Sequence, residues 1–211
     1  MSSNTTSRTP DWVAFAKSES LTSEQLDQFQ RYSELLIAGN EVANLTTIIE
    51  PVNIIAYHFQ DSLMADRYVN FNKIEAVADV GTGAGFPGIP LKIKYPHLNL
   101  VLIEVTYKRV VFLENLIAQL GLTNVEIYTN DWRTFLRKTN YALDLVVTRA
   151  ALQPDELIRM FKPSSPYKDV PLIYWASEEW QPTPQEQSYV AKEVAYGIKH
   201  KRRKLVWIKK P

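Results

Sequence analysis

Asp79-Val80-Gly81-Thr82-Gly83-Ala84-Gly85-Phe86-Pro87-Gly88 is the stretch that sets the architecture. It holds four of the seven glycines in a chain of 211 residues. Glycine gathers where backbone must take positive φ or lie close to a ligand. The run follows the apolar Ala76-Val77-Ala78 and precedes Ile89-Pro90-Leu91-Lys92-Ile93-Lys94, which reads as helix. Strand, glycine turn and helix N-terminus together offer backbone N–H groups to a carboxylate or a ribose. The spacing is Gly-x-Gly-x-Gly, not the Gly-x-Gly-x-x-Gly of dinucleotide sites. No Lys-Ser or Lys-Thr follows, as a phosphate-gripping loop would need.

An acid at the end of the next strand would hold ribose hydroxyls. Leu98–Glu104 is that strand, and Glu104 lies 23 residues after Gly81. Together these features mark an S-adenosyl-L-methionine site; the bland alternative is a loop that only turns.

The pattern around this stretch alternates. Ala76–Val80, Leu98–Glu104, Val125–Thr129 and Leu143–Thr148 read as strands, with helices over 89–94 and 108–120 between them. Strands alternating with helices argue for a parallel, doubly wound, Rossmann-like α/β sheet whose ligands sit at the C-terminal strand ends. Prolines punctuate 161–187, leaving room for a strand over 170–176; strands over 193–198 and 204–208 would make an antiparallel edge hairpin. Upstream, Thr22-Ser23-Glu24-Gln25 is a capping box opening a helix that Gly39 would end. A second helix begins at Pro51 and puts Ile54, Ile55, Phe59, Leu63 and Met64 on one side. Residues 1–10 read as a flexible tail, 11–70 as a helical cap and 71–211 as the α/β domain.

Composition narrows the chemistry. With 45% hydrophobic residues the chain can bury a full core. No apolar run approaches bilayer length and the N-terminus has no hydrophobic leader segment, so a cytoplasmic protein away from membranes is expected. Zero cysteines exclude thiolate zinc sites and a cysteine nucleophile, and three scattered histidines make no metal pattern. Net charge is only +1, yet seven of the 24 basic residues crowd into 199–210 without an acid between them. Within that tract Lys201, Arg202, Arg203 and Lys204 are candidates for RNA contact; a lysine-guarded strand edge is the alternative.

The chain resembles the bacterial small-subunit ribosomal RNA guanine-N7 methyltransferases, also called the glucose-inhibited division protein B family. The resemblance rests on Asn44-Leu45-Thr46, Glu50-Pro51, His58-Phe59-Gln60-Asp61-Ser62-Leu63, the glycine run through Gly88-Ile89-Pro90-Leu91, Lys108-Arg109-Val110-Val111-Phe112-Leu113, Leu120-Gly121-Leu122, Val147-Thr148-Arg149-Ala150 and Leu205-Val206-Trp207-Ile208-Lys209. It implies a class I methyltransferase that binds S-adenosyl-L-methionine and methylates N7 of a guanosine in 16S ribosomal RNA, acting as a monomer on the small ribosomal subunit. By position it implies Gly81 and Phe86 at the cofactor, with Gly83, Gly85 and Asp79 of the same loop. It also puts Glu104 at the ribose, Trp132 and Arg133 beside the adenine, and Arg149 at the methyl-donor end. Tyr57 stands where the family commonly has Arg, and Tyr174-Trp175-Ala176-Ser177 lacks its usual Lys-Gly pair.

Guanine N7 offers an unprotonated lone pair, so alignment rather than a general base would drive transfer. Arg149 would orient the base through its guanidinium fork, or else pair with Asp131 or Asp144. His58 and Asp61, at i and i+3, would form a wall of the site or an ordinary polar pair. These three are the catalytic candidates. A small-molecule or protein methyltransferase and a non-catalytic RNA-binding relative remain as rival readings.

Overall fold

The computed structural model describes residues 9–149 and 152–211. Helices α1 (Trp12–Glu19) and α2 (Ser23–Ala43) come first, and α3 (Pro51–Ile54) runs through a π-helical turn (Ile55–Gln60) into α4 (Asp61–Leu63). Next, β1 (Ala76–Val80), α5 (Gly88–Lys94), β2 (Asn99–Ile103), α6 (Tyr107–Gln119), β3 (Val125–Tyr128), α7 (Trp132–Lys138) and β4 (Leu145–Arg149) alternate. After α8 (Pro154–Leu157) come β5 (Leu172–Ser177), α9 (Pro184–Gln187), β6 (Val190–Ile198) and β7 (Lys201–Ile208). The expected tail over 1–10 falls, for residues 1–8, outside the described residues.

The sheet order is β3-β2-β1-β4-β5-β7-β6. β1 to β5 pair in parallel, whereas β7 pairs antiparallel with both β5 and β6. The doubly wound sheet with its antiparallel C-terminal hairpin is thus the arrangement expected from the alternation. Its central strands are buried on both faces, and successive residues serve opposite cores. Leu100, Leu102, Leu145, Val147, Ile173 and Trp175 join one cluster, while Val101, Ile103, Val146, Leu172 and Ala176 join the other.

The cap shares the first of these cores. Phe15, Phe29, Tyr32 and Phe59 pack ring against ring, and Tyr32 stacks on Phe86 with centroids 5.3 Å apart. Polar side chains of α2 also finish the helices beneath it. Gln25 Nε2 donates to the carbonyls of Ile93 and Lys94 at the end of α5, and Gln28 Nε2 donates to Leu120 O after α6. Helix C-termini leave such carbonyls without intrahelical partners. The expected capping box at Thr22 and Gln25 is present.

Three expectations shift. α2 continues through Gly39 to Ala43, because Gly39 is a packing position rather than a terminator: a Cβ there would lie 2.7 Å from the Phe112 ring of α6. α7 went unread although Asp131 caps it, its Oδ1 accepting from Thr134 N–H at 2.8 Å. The hairpin strands are longer than expected and meet at Lys199-His200, so Lys201, Arg202, Arg203 and Lys204 belong to β7 itself.

Replacing Gly39 by Val should wedge α2 off α6. The side chain cannot fit beside Phe112, and overpacking of this kind destabilises by about 1–3 kcal/mol. Urea unfolding monitored by circular dichroism checks this, and unchanged stability would refute the packing role.

Candidate functional site

Strand order reverses between β1 and β4, and a crevice opens at the C-terminal edge of such a switch point. A chamber of about 550 Å³ lies there, lined from the glycine turn by Gly81, Thr82 and Gly83. Glu104 directly follows β2, Asp131 and Trp132 open α7, and Arg149 ends β4; all four line it too. The turn is fixed by backbone bonds from Gly81 and Thr82 N–H to Ile103 O. Beneath it, the buried Asp79 accepts from Thr82 Oγ1 at 2.7 Å and from Gly88 N–H at 2.8 Å. Gly81 and Gly83 sit at φ +65° and +61°, a region glycine enters at no steric cost.

Glu104 is 4% exposed and binds the turn directly. Its Oε2 accepts from Gly83 N–H at 3.0 Å, while Oε1 accepts from Val105 and Thr106 N–H at 3.0 and 2.8 Å. Arg109 lies 3.6 Å from Oε2. A Cβ on Gly83 would meet nothing nearer than Gly81 O at 4.0 Å, so the space above this residue belongs to the chamber.

The opposite wall is built around Asp61, 1% exposed. Its Oδ2 accepts from Arg149 Nη1 at 3.0 Å, its Oδ1 accepts from Tyr196 Oη at 2.7 Å, and Arg203 Nε lies 3.3 Å from Oδ1 in an ion pair. Its main-chain oxygen accepts from the Trp175 indole at 2.7 Å. Arg149 also donates from Nη1 to Tyr57 O at 3.0 Å and from Nη2 to His58 Nδ1 at 3.1 Å. A guanidinium only donates, so Nδ1 is the acceptor and the hydrogen-bond network assigns the proton to Nε2. That Nε2–H donates to Thr46 Oγ1 at 2.9 Å. The imidazole stacks on Phe86 at 4.4 Å, and the Arg149 guanidinium sits 4.8 Å from the same ring. Phe86 is a pedestal for the pair.

Burial, then the charges of Arg149, Lys201 and Arg203, lower the His58 pKa to about 3. With both nitrogens bonded, His58 is a neutral spacer and has no free lone pair with which to act as a base. Burial raises Asp79 to about 6 against the pull of its hydrogen bonds from Thr82 and Gly88. Burial, then the Asp61 carboxylate, raises Tyr196, which keeps its proton to donate to that carboxylate.

Several expected residues lie elsewhere. Asp79 supports the turn from below and does not reach the chamber, and Gly85 faces Tyr32 and Ile89. Arg133, expected beside the adenine, turns outward into a two-pronged pair with Glu156 at 2.8 and 2.7 Å. Trp132 does line the chamber, its indole N–H tied to Glu156 O at 3.2 Å. The alternative partners for Arg149 are otherwise engaged, since Asp131 caps α7 and Asp144 accepts from Glu75 and Ala76 N–H.

Strand alternation sorts the basic tract. Lys201 and Arg203 line the chamber, whereas Arg202 reaches Glu178 at 3.5 Å. Lys204, 8% exposed, is held by Glu193 at 3.0 Å, which takes it off the solvent-facing rim. Residues that sequence reading passed over include Tyr196 and Trp175, whose partners are more than 100 positions away. Thr46 lay in a quoted motif without a role.

Comparison with known proteins places this geometry. The family model described as rRNA small subunit methyltransferase G matches residues 25–206. A ribosomal RNA small subunit methyltransferase G of Geobacillus sp. (strain WCH70) is 43% identical over 149 residues, 70% of this chain and 63% of that protein. One from Listeria monocytogenes is 39% identical over 145 residues, 68% of this chain and 61% of that protein. The chain therefore spans less than two thirds of the length of these relatives. Among solved structures, MtNAS in complex with MTA and tNA aligns with TM-score 0.61 at 15% identity, over 96% of this chain and 83% of that one. A putative O-methyltransferase from Klebsiella pneumoniae aligns at 0.58 and 13%, over 85% and 90%. The fold is that of the class I methyltransferases. Among the described residues no helix is long and apolar enough to cross a membrane, and no group of three or more potential metal ligands occurs.

Two outcomes follow from this geometry. Gly83→Val strains only one positive-φ position, about 1–3 kcal/mol, but fills chamber space, so the chain should stay folded by circular dichroism and lose small-molecule binding by calorimetry. In the unfolded chain His58 gains a proton below pH 6.5, so its contribution to stability is full at pH 7 and is lost as pH falls toward 3. Asp79 works oppositely, adding stability as pH falls from about 6 toward 3.8. The stability difference between the parent and His58→Gln isolates the histidine, and it should narrow between pH 7 and 5; a constant gap would show that His58 is not held neutral.

Proposed function

The chain belongs to the rRNA small subunit methyltransferase G family, and from that premise we propose that it transfers a methyl group from S-adenosyl-L-methionine to N7 of a guanosine in 16S ribosomal RNA. One observation carries this reading: the chamber is divided by charge. Glu104 and Asp131 lie on its β2–β3 side, where Arg109 pairs with Glu104, while Arg149, Lys201 and Arg203 lie on its β4–β7 side, and the glycine turn after β1 stands between them. A small cationic donor suits the first half and an RNA phosphate backbone suits the second.

The residues fit the donor. Gly83 leaves room for it, the Glu104 carboxylate keeps one lone-pair site on Oε2 beside the turn for a ribose hydroxyl, and Trp132 gives a flat wall for adenine. When bound, the donor supplies an electrophilic methyl on a sulfonium. Arg149 has two N–H groups, Nε and one on Nη2, without a partner among the described residues, and they orient the acceptor base at O6. Guanine N7 needs no deprotonation, which agrees with a neutral, doubly bonded His58. Rate enhancement then rests on holding donor and acceptor in line. This reading places the protein in the bacterial cytoplasm as a monomer acting on the small subunit or its RNA.

Small subunits and 16S RNA from a bacterium lacking 7-methylguanosine should take label from methyl-labelled donor, and nucleoside mass spectrometry should find 7-methylguanosine. Label in protein or small molecules, or none despite donor binding, would overturn the proposal. Arg149→Ala leaves Asp61 hydrogen-bonded to Tyr196 and ion-paired with Arg203, so the fold should survive. Turnover should fall about 100-fold as the acceptor loses its alignment.

A further inference from the structure

A second groove, about 650 Å³, opens beside the chamber and shares Lys201 and Arg203 with it. Tyr174, Glu178, Glu179, Trp180, His200 and Arg202 also line it. Tyr174 and Trp180 stand edge to face, with centroids 5.7 Å apart at 76°. The Lys204 ammonium lies 5.5 Å from the Trp180 ring and is itself tied to Glu193, so the indole is braced from within the sheet. At the lip between the two cavities, Lys201 is exposed and has no carboxylate partner among the described residues. Its ammonium rests 4.8 Å from the Tyr57 ring, which fixes it over the lip.

The geometry points to this groove as the seat of a nucleobase adjacent to the target guanosine, with the linking phosphate held at the lip by Lys201 and Arg203. The inference rests on the chamber taking the target base. Three features select this occupant. Cations at the lip favour a phosphodiester. An indole and a phenol inside the groove favour a flat π-face, the usual platform for unstacked bases. The far wall carries Glu178 and Glu179, which repel a phosphate or an acidic side chain but accept hydrogen bonds from the exocyclic amino group of a base. The RNA is thus oriented with phosphate at the lip and base turned inward. Arg202 balances Glu178 at 3.5 Å, leaving Glu179 as the carboxylate free to read that edge.

The test uses the full chain and fluorescently labelled single-stranded RNA bearing one guanosine, intact or with an abasic residue immediately 5′ or 3′ of it. Anisotropy should show one of the two abasic oligomers binding the parent protein about tenfold more weakly than the intact RNA. Trp180→Ala should lose about the same factor on intact RNA and nothing further on the abasic one, while Trp180→Phe restores most of the binding. Lys201→Ala should weaken all oligomers alike and lower the salt slope by about one. Abasic oligomers that bind as tightly as intact RNA, or losses that multiply with Trp180→Ala, would overturn the inference.

Methyl transfer measured on small subunits separates this inference from the reading it rests on. If the parent methylates RNA but Trp180→Ala has an unchanged KM for it, the groove assignment fails alone. If the parent methylates no RNA while the abasic cycle behaves as expected, the assignment of methyl transfer fails, whereas the groove stands as the seat of the base beside a bound guanosine.

Discussion

One buried carboxylate organises the acceptor side of this molecule. Asp61 receives Arg149 from β4, Arg203 from β7 and Tyr196 from β6, and its main-chain oxygen receives Trp175 from β5. Two cations and one anion leave the cluster with a net positive charge. A buried charge persists only when it is paired and hydrogen-bonded, and here each partner comes from a different strand. The cap helix and the C-terminal half of the sheet are consequently locked in one relative position. The same lock sets the face of Arg149 and keeps protons off His58.

The donor side follows a different logic. The polar groups there belong largely to the backbone: N–H groups of Gly83, Val105 and Thr106 converge on Glu104. Positive φ at two glycines lets the turn fold close to that carboxylate without a side chain intruding. One half of the chamber is therefore local and built from main chain, while the other is long-range and built from side chains. The order β3-β2-β1-β4-β5-β7-β6 puts them side by side.

Two residues gain meaning from this contrast. The Tyr57 ring supports the Lys201 ammonium at 4.8 Å, so β7 sets a cation against the cap at that spot. Trp175, on β5, donates its indole N–H to the main-chain oxygen of Asp61 and so supports that residue from the sheet.

The elements that recur with a short period were legible in the chain alone. The glycine turn, Glu104 at the end of its strand, the capping box at Thr22 and the alternation into a doubly wound sheet each depend on residues within a few positions of one another. Gly39 was misread because its reason is Phe112, a residue from another helix that no local pattern mentions. The basic tract was read as one surface because charge is visible in sequence, whereas the side of the strand on which each residue falls is not. Register with β6 and β5 divided it, sending Lys201 and Arg203 to the chamber and Lys204 to Glu193.

By itself, then, the amino-acid order determined the layers of this protein, the place of the ligand turn and the acid that faces it, since those are matters of local backbone preference and periodic burial. Only the tertiary structure decided who pairs with Asp61, why His58 stays neutral and which cations reach the chamber. Those outcomes depend on charges that meet across strands and helices far apart in the chain, and their energies exist only once water has been excluded between them.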